Sequence, residues 1–138
     1  MSLMLEEALN APERLRGQLS RNQTVLRELG DRLRAEPPTG TVTVARGSSD
    51  HAASYLAYLC MQTRGIPVAS LPPSLSTLSR TPWRLAGQLS IAISQSGQSP
   101  DLVASQEALK QGGATTIALV NTPESPLGRA SDLEVPLF

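Results

Sequence analysis

Cysteine and histidine each occur once in 138 residues, as Cys60 and His51. A lone thiol closes no intrachain disulfide and supplies no cysteine-based zinc cluster, so no metal is expected, and a reducing cytoplasm is the natural setting. Aromatic residues make up only 3%, which removes the stacking platforms that hold single-stranded nucleic acid. Neither sign of charge dominates: twelve Lys and Arg balance twelve Asp and Glu. With no long block of either sign, a coating of duplex nucleic acid is not expected. No run approaches the roughly 20 apolar residues of a membrane span, and the first residues lack a basic-then-apolar signal pattern. Neither nucleic acid nor a membrane is therefore an expected partner. What the chain does have is 40% hydrophobic residues, enough for one soluble domain with its own core.

Two segments follow from patterning. Residues 4–36 form an N-terminal helical segment, because Leu15, Leu19, Val25, Leu26, Leu29 and Leu33 recur at helical spacing with Arg and Glu between them. Asn10-Ala11-Pro12 reads as a cap and restart within it, giving two or three helices with one face buried. Pro37-Pro38 then ends helical structure. Residues 37–138 alternate strand and helix. Strands are expected at Thr41–Ala45, Ile66–Leu71, Leu89–Ile93, Thr115–Val120 and Leu133–Pro136. Helices are expected after the turn Arg46–Asp50, through Ala52 and Leu56 to near Gly65, from Pro100 to Gln111 and briefly near Leu127–Ala130, with an irregular or briefly helical stretch from Pro72 to Leu78. This order calls for an α/β domain, a parallel sheet of about five strands between two helical layers.

The informative feature is a pair of serine-rich turns after the first and third strands. One is Arg46-Gly47-Ser48-Ser49-Asp50, the other Ser94-Gln95-Ser96-Gly97-Gln98-Ser99. In an open parallel sheet ligands bind beyond the carboxyl ends of strands, where both turns fall. Ser99 is placed as a helix N-cap with Pro100 at the first helical position and Asp101 just after, so the free backbone N–H groups of that helix start are expected to face the crevice. A helix start carries partial positive charge, and the hydroxyls of Ser94, Ser96 and Ser99 add donors around an anion. Gly97 permits close backbone approach, Gly47 frees the first turn, and Ser48 and Ser49 supply further hydroxyls there while Asp50 caps its helix. The site described is a phosphate cradle without lysine, suited to a phosphorylated polyol. Serines also cap helices and satisfy backbone groups with no ligand at all; two similar turns at equivalent positions favour binding.

Rival motifs fail on spacing. No G-x-x-x-x-G-K-[ST] or G-x-G-x-x-G is present, so no nucleotide or dinucleotide cofactor is implied. A nucleophile elbow around Ser96 needs glycine where Ser94 and Gln98 stand. His51 near a helix start reads as packing or a ligand contact, Cys60 as core, and Trp83 as packing or an interface anchor.

These turns resemble the sugar isomerase, or SIS, domain family. "ARGSSDHAASYLAYL" is similar to its first strand, turn and helix, and "LSIAISQSGQSPDLVASQEALKQGGATTIALVNTPESPLGRASDLEVPL" to its next two units. Within the family the wording is similar to the isomerase half of glutamine–fructose-6-phosphate aminotransferase, and more so to the glucosamine-6-phosphate deaminase branch. The resemblance covers the chain from about residue 5 onward and implies a flavodoxin-like three-layer fold. It implies that Ser94, Gln95, Ser96 and Ser99 hold the phosphate, with Ser49 assisting and Ser48 near the sugar. The family pairs two such domains and draws its Glu, His and Lys catalytic groups from the second domain or the far C-terminus. This chain stops before them, and it has neither the "V-A-S/A-T-K" stretch nor a glutaminase domain. The expectation is thus the first of the tandem domains, holding phosphate but incomplete for catalysis. Its parent would isomerise a hexosamine 6-phosphate with loss of ammonia, or transfer the amino group. Two other roles remain open, a sugar-phosphate sensor without catalysis and a dimerisation module on the N-terminal leucines, and a homodimer is expected.

Overall fold

The computed structural model describes residues 2–137. Its order is α1 (Leu3–Arg21), α2 (Gln23–Ala35), β1 (Thr41–Val44), α3 (Ser48–Arg64), β2 (Val68–Ser70), α4 (Ser74–Thr77), β3 (Leu89–Ser94), α5 (Pro100–Gln111), β4 (Thr115–Val120), α6 (Pro126–Ala130) and β5 (Leu133–Pro136). The five strands are parallel in the order β2-β1-β3-β4-β5. The chain leaves β1 for the edge strand β2 and returns to the other side of β1 as β3. That reversal makes the crevice between the β1 and β3 carboxyl ends the topological switch point.

Alternation along the strands divides the core into two layers. Val42, Val44, Ala92, Ala118 and Val120 face Leu102 and Leu109 of α5 and Leu127 of α6. Leu89, Ile91, Ile93, Ile117 and Val135 face Ala53 of α3, with Leu29 and Leu33 of α2 and Leu56 of α3 packed against them. Both faces of the sheet are therefore covered, which is why β1 and β3 are apolar or uncharged at every position and buried throughout.

Two polar clusters lock this scaffold. Fully buried Gln106 accepts at Oε1 from Ser90 Oγ at 2.8 Å and donates through Nε2 to the Ile117 carbonyl and Ser131 Oγ, both at 3.0 Å. Asp132 accepts at Oδ2 from the Thr116 N–H and hydroxyl, each at 2.9 Å, and pairs through Oδ1 with Lys110 at 2.9 Å. Burial raises the pKa of this carboxyl, but the Lys110 and Thr116 hydrogen bonds outweigh it and hold it below the ordinary carboxylate value.

The N-terminal segment departs from the expected pattern. Pro12 lies inside one continuous helix, α1, instead of restarting it. This part of α1 is exposed, so the carbonyl that Pro12 leaves without a donor stays open to water. The break falls at Asn22, which is buried and donates its side-chain amide to the Pro136 carbonyl at 2.6 Å. Nor is one face of α1 buried: Leu9, Leu15 and Leu19 are exposed, and only Leu29 and Leu33 of α2 reach the core. Asp50 does not cap α3; Gly47 holds the N-cap position and no side chain bonds to it. The second strand is shorter than expected because only residues 68–70 pair with β1. Trp83 is half-buried against the α5 layer and donates Nε1 to Ser76 Oγ at 3.1 Å, and Cys60 is half-buried, its thiol pKa pushed up by burial. Among the described residues no helix is long and apolar enough to cross a membrane, and no three His, Cys, Asp or Glu side chains gather as metal ligands.

Candidate functional site

Because β1 and β3 are neighbours, with Val44 opposite Ala92, the turns that follow them lie side by side. An open cleft of about 370 Å³ sits there, lined by Ser48, Ser49, Ala52, Ile93, Ser94, Gln95, Asn121 and Leu137. The structure thus brings together four residues singled out from the sequence: Ser48, Ser49, Ser94 and Gln95. Ser96 and Ser99 do not line this cleft. Ser96 is exposed on the same turn, and Ser99 is half-buried at the N-cap of α5, where its side chain makes no cap hydrogen bond. His51 is exposed, one turn into α3.

The second turn owes its shape to its own small residues. The Ser94 hydroxyl accepts from the Gly97 N–H at 3.1 Å, and the Ser96 hydroxyl accepts from the Gln98 N–H at 3.3 Å. Gly97 takes φ +63°, and an added Cβ would lie 2.5 Å from Ser125 Cβ and closer still to its hydroxyl. That serine caps α6 by accepting from the Gly128 N–H at 3.1 Å, while the Gly97 carbonyl accepts from the Leu127 N–H at 3.0 Å. The turn and the α6 start are therefore built as one unit. Gly47, with φ +58°, reverses the chain in the first turn, but nothing crowds its missing side chain. Here only backbone conformation requires glycine.

Much of the hydrogen-bonding capacity of the cleft is uncommitted. Among the described residues the hydroxyls of Ser48 and Ser49 and the side-chain amides of Gln95 and Asn121 carry no hydrogen bond. The Leu102 and Val103 N–H groups of α5 bond to the Ser99 carbonyl at 3.1 Å, so they are not the open donors expected at this helix start. The lining holds no ionisable side chain. Chemically it is a neutral pocket of hydroxyl and amide groups at a helix start, able to bind a polyol or an anion but holding no group to move a proton at neutral pH.

Sequence reasoning missed three participants. Asn121 follows the last residue of β4, and its N–H donates to the Gln95 carbonyl at 3.1 Å; its place at a strand carboxyl end was the available signal. Arg46 and Asp101 join the two turns through Nη1 and Oδ2 at 2.7 Å, a pairing across 55 residues that no local spacing announces.

Comparison with known proteins gives a consistent pattern. The sequence pattern of one family, described as the SIS domain, matches residues 41–137. The isomerizing glutamine–fructose-6-phosphate aminotransferase of Zymomonas mobilis is 32% identical over 93 residues, covering 67% of this chain and 15% of that protein. A candidate phosphosugar isomerase from Silicibacter pomeroyi superposes with a TM-score of 0.97 at 37% identity, over 99% of this chain and 42% of that one. The Vibrio vulnificus NanR protein, solved in complex with ManNAc-6P, superposes with a TM-score of 0.79 at 19% identity, over 98% and 50%. The last likeness is one of fold alone. The chain spans less than half the length of each of the first two proteins.

Proposed function

Since the chain belongs to the SIS domain family, we propose that it binds a hexose or hexosamine 6-phosphate in the cleft between the β1 and β3 turns. In this reading Ser49, Ser94 and Gln95 hold the phosphate from the cleft wall, Ser96 and Ser99 assist from beside the cleft at the end of the same turn, and Ser48 lies near the sugar. The carrying observation is the juxtaposition of Ser48 and Ser49 with Ser94 and Gln95 in one pocket at the switch point. A sugar phosphate presents acceptor oxygens at one end and hydroxyls along its length, which matches a lining of neutral donors beside a helix start. The ManNAc-6P held by NanR and the aminotransferase relative support the same ligand class.

The reaction of the whole protein is proposed as isomerisation of a hexosamine phosphate, with deamination or amino transfer. The proton-transfer groups for that chemistry lie outside this lining, so the role assigned to this chain is binding and positioning. The same neutral lining favours a second reading, a sensor that binds without turnover. Exposed Leu9, Leu15 and Leu19 of α1 are further proposed as the contact of a homodimer. Sedimentation at working concentration is expected to give twice the chain mass; a monomer alone would contradict it.

Binding is localised by amide shifts of ¹⁵N-labelled protein on adding fructose 6-phosphate. The amides of residues 47–50 and 95–99 are expected to move with fructose 6-phosphate and to stay in place with fructose. A second open groove is lined by Ser76, Trp83, Ala108 and Gly112, and perturbation confined to it would place the ligand elsewhere and defeat the reading.

A further inference from the structure

The two turns are unusual for an anion site in their charges. Residues 46–51 and 94–101 contain one arginine and no lysine, against the carboxylates of Asp50 and Asp101. Asp101 stands in the first turn of α5, where the helix field stabilises its negative charge. It is also two residues from Ser99, so the same field that would hold a phosphate already holds a carboxylate, and two like charges in one site oppose each other. The Arg46 guanidinium meets Asp101 Oδ2 at 2.7 Å. Asp101 is the more enclosed partner, 27% exposed, while Arg46 is 63% exposed. Arg46 also begins the first turn directly after buried Ala45, so the pair ties one turn to the other across the switch point.

Resting on the sugar-phosphate reading above, we infer that Arg46 is a positioning residue that acts through Asp101. It neutralises the carboxylate at the start of α5, which leaves the neutral donors of the cleft free to take a phosphate. Arg46 makes no contact with the ligand in this account. Its removal exposes the phosphate to an unpaired Asp101, and removal of both charges relieves that conflict.

Four proteins decide the matter: the natural chain, Arg46→Ala, Asp101→Asn and the double variant. Each is titrated with glucosamine 6-phosphate and with glucosamine, and each is melted without ligand. Arg46→Ala is expected to bind the phosphorylated sugar about tenfold to a hundredfold more weakly, the scale of a like-charge conflict at short range. Asp101→Asn is expected to bind at least as well as the natural chain, and the double variant to return to within about threefold of it. Unliganded melting of Arg46→Ala should move by no more than about 3 °C, since exposed ion pairs contribute little to stability. A double variant as weak as Arg46→Ala would mean that Arg46 touches the phosphate itself and would overturn the inference. Unchanged binding by Arg46→Ala would overturn it too, while leaving the site intact. Absence of phosphate-dependent binding by the natural chain would instead defeat the site, and the inference with it.

Discussion

Gly97→Ala is expected to lower the melting temperature by about 10 °C and to abolish sugar-phosphate binding. Three costs accumulate at this position. Left-handed backbone at φ +63° costs alanine about 1 kcal/mol relative to glycine. The new methyl group collides with buried Ser125, and overpacking of this kind costs about 1–3 kcal/mol. If Ser125 yields, α6 loses its N-cap, worth about 1 kcal/mol. A total of about 3–4 kcal/mol corresponds to roughly 10 °C for a domain of this size. The internal control is Gly47→Ala, which shares the positive φ but meets nothing within 4 Å. Its backbone, at φ 58° and ψ −133°, is readily adopted by glycine alone, so Gly47→Ala should lose about 1–3 kcal/mol for conformation and nothing for crowding, less than the Gly97→Ala total. Thermal and urea unfolding of both variants would test this ordering, and a Gly97→Ala protein melting within about 2 °C of the natural chain would contradict it.

Gln106→Leu should cost about 3 kcal/mol without touching the cleft. Leucine fills a similar volume but strands the Ser90 hydroxyl donor and takes from the Ile117 carbonyl the side-chain donor it holds beside the β3–β4 ladder, in a region from which water is excluded. Each unsatisfied buried group costs about 1–3 kcal/mol, whereas Ser131 keeps its bond to the Leu127 carbonyl at 2.9 Å. Adding Ser90→Ala removes one orphan, so the double variant should regain about 1 kcal/mol, a non-additivity typical of groups in one network. The measurement is the urea midpoint at constant m value. A loss below about 1 kcal/mol, or further destabilisation on adding Ser90→Ala, would show that the network is not satisfied as described. Affinity for sugar phosphate per folded molecule should stay unchanged, because Gln106 is not part of the cleft lining.

These cases also mark what a linear reading reaches. Strands of β-branched and aliphatic residues bounded by Gly, Pro and Ser were legible because a parallel sheet buried on both faces leaves no other use for such runs. For β4, α5 and β5 the expected limits agree with those of the structure. The glycines and serines of both turns were legible for the same local reason. Gln106 was not, since in "ASQEALK" a glutamine on a helix looks like any solvent-facing residue, and its partners lie on β3, β4 and the turn after α6. Arg46 and Asp101 escaped likewise, for their pairing exists only once β3 lies beside β1. Pro12 misled in the opposite direction: proline ends a helix that must be buried, and α1 within this chain is exposed. In the site, Asn121 and the separation of Ser96 and Ser99 from the cleft wall depend on side-chain direction, which spacing does not carry.

Phosphate-dependent binding in the β1–β3 cleft is tested most directly by the thermal shift of the protein with glucosamine 6-phosphate, fructose 6-phosphate and glucosamine, repeated for Ser49→Ala. The Ser49 hydroxyl carries no intrachain hydrogen bond among the described residues, so the variant should melt like the natural protein without ligand. At about 100 times Kd a ligand adds roughly 2.7 kcal/mol, or several degrees. The predicted result is a shift of that size with both phosphorylated sugars, none with glucosamine, and a much smaller shift in Ser49→Ala. An equal shift with glucosamine, or no shift with any of the three, would contradict the account.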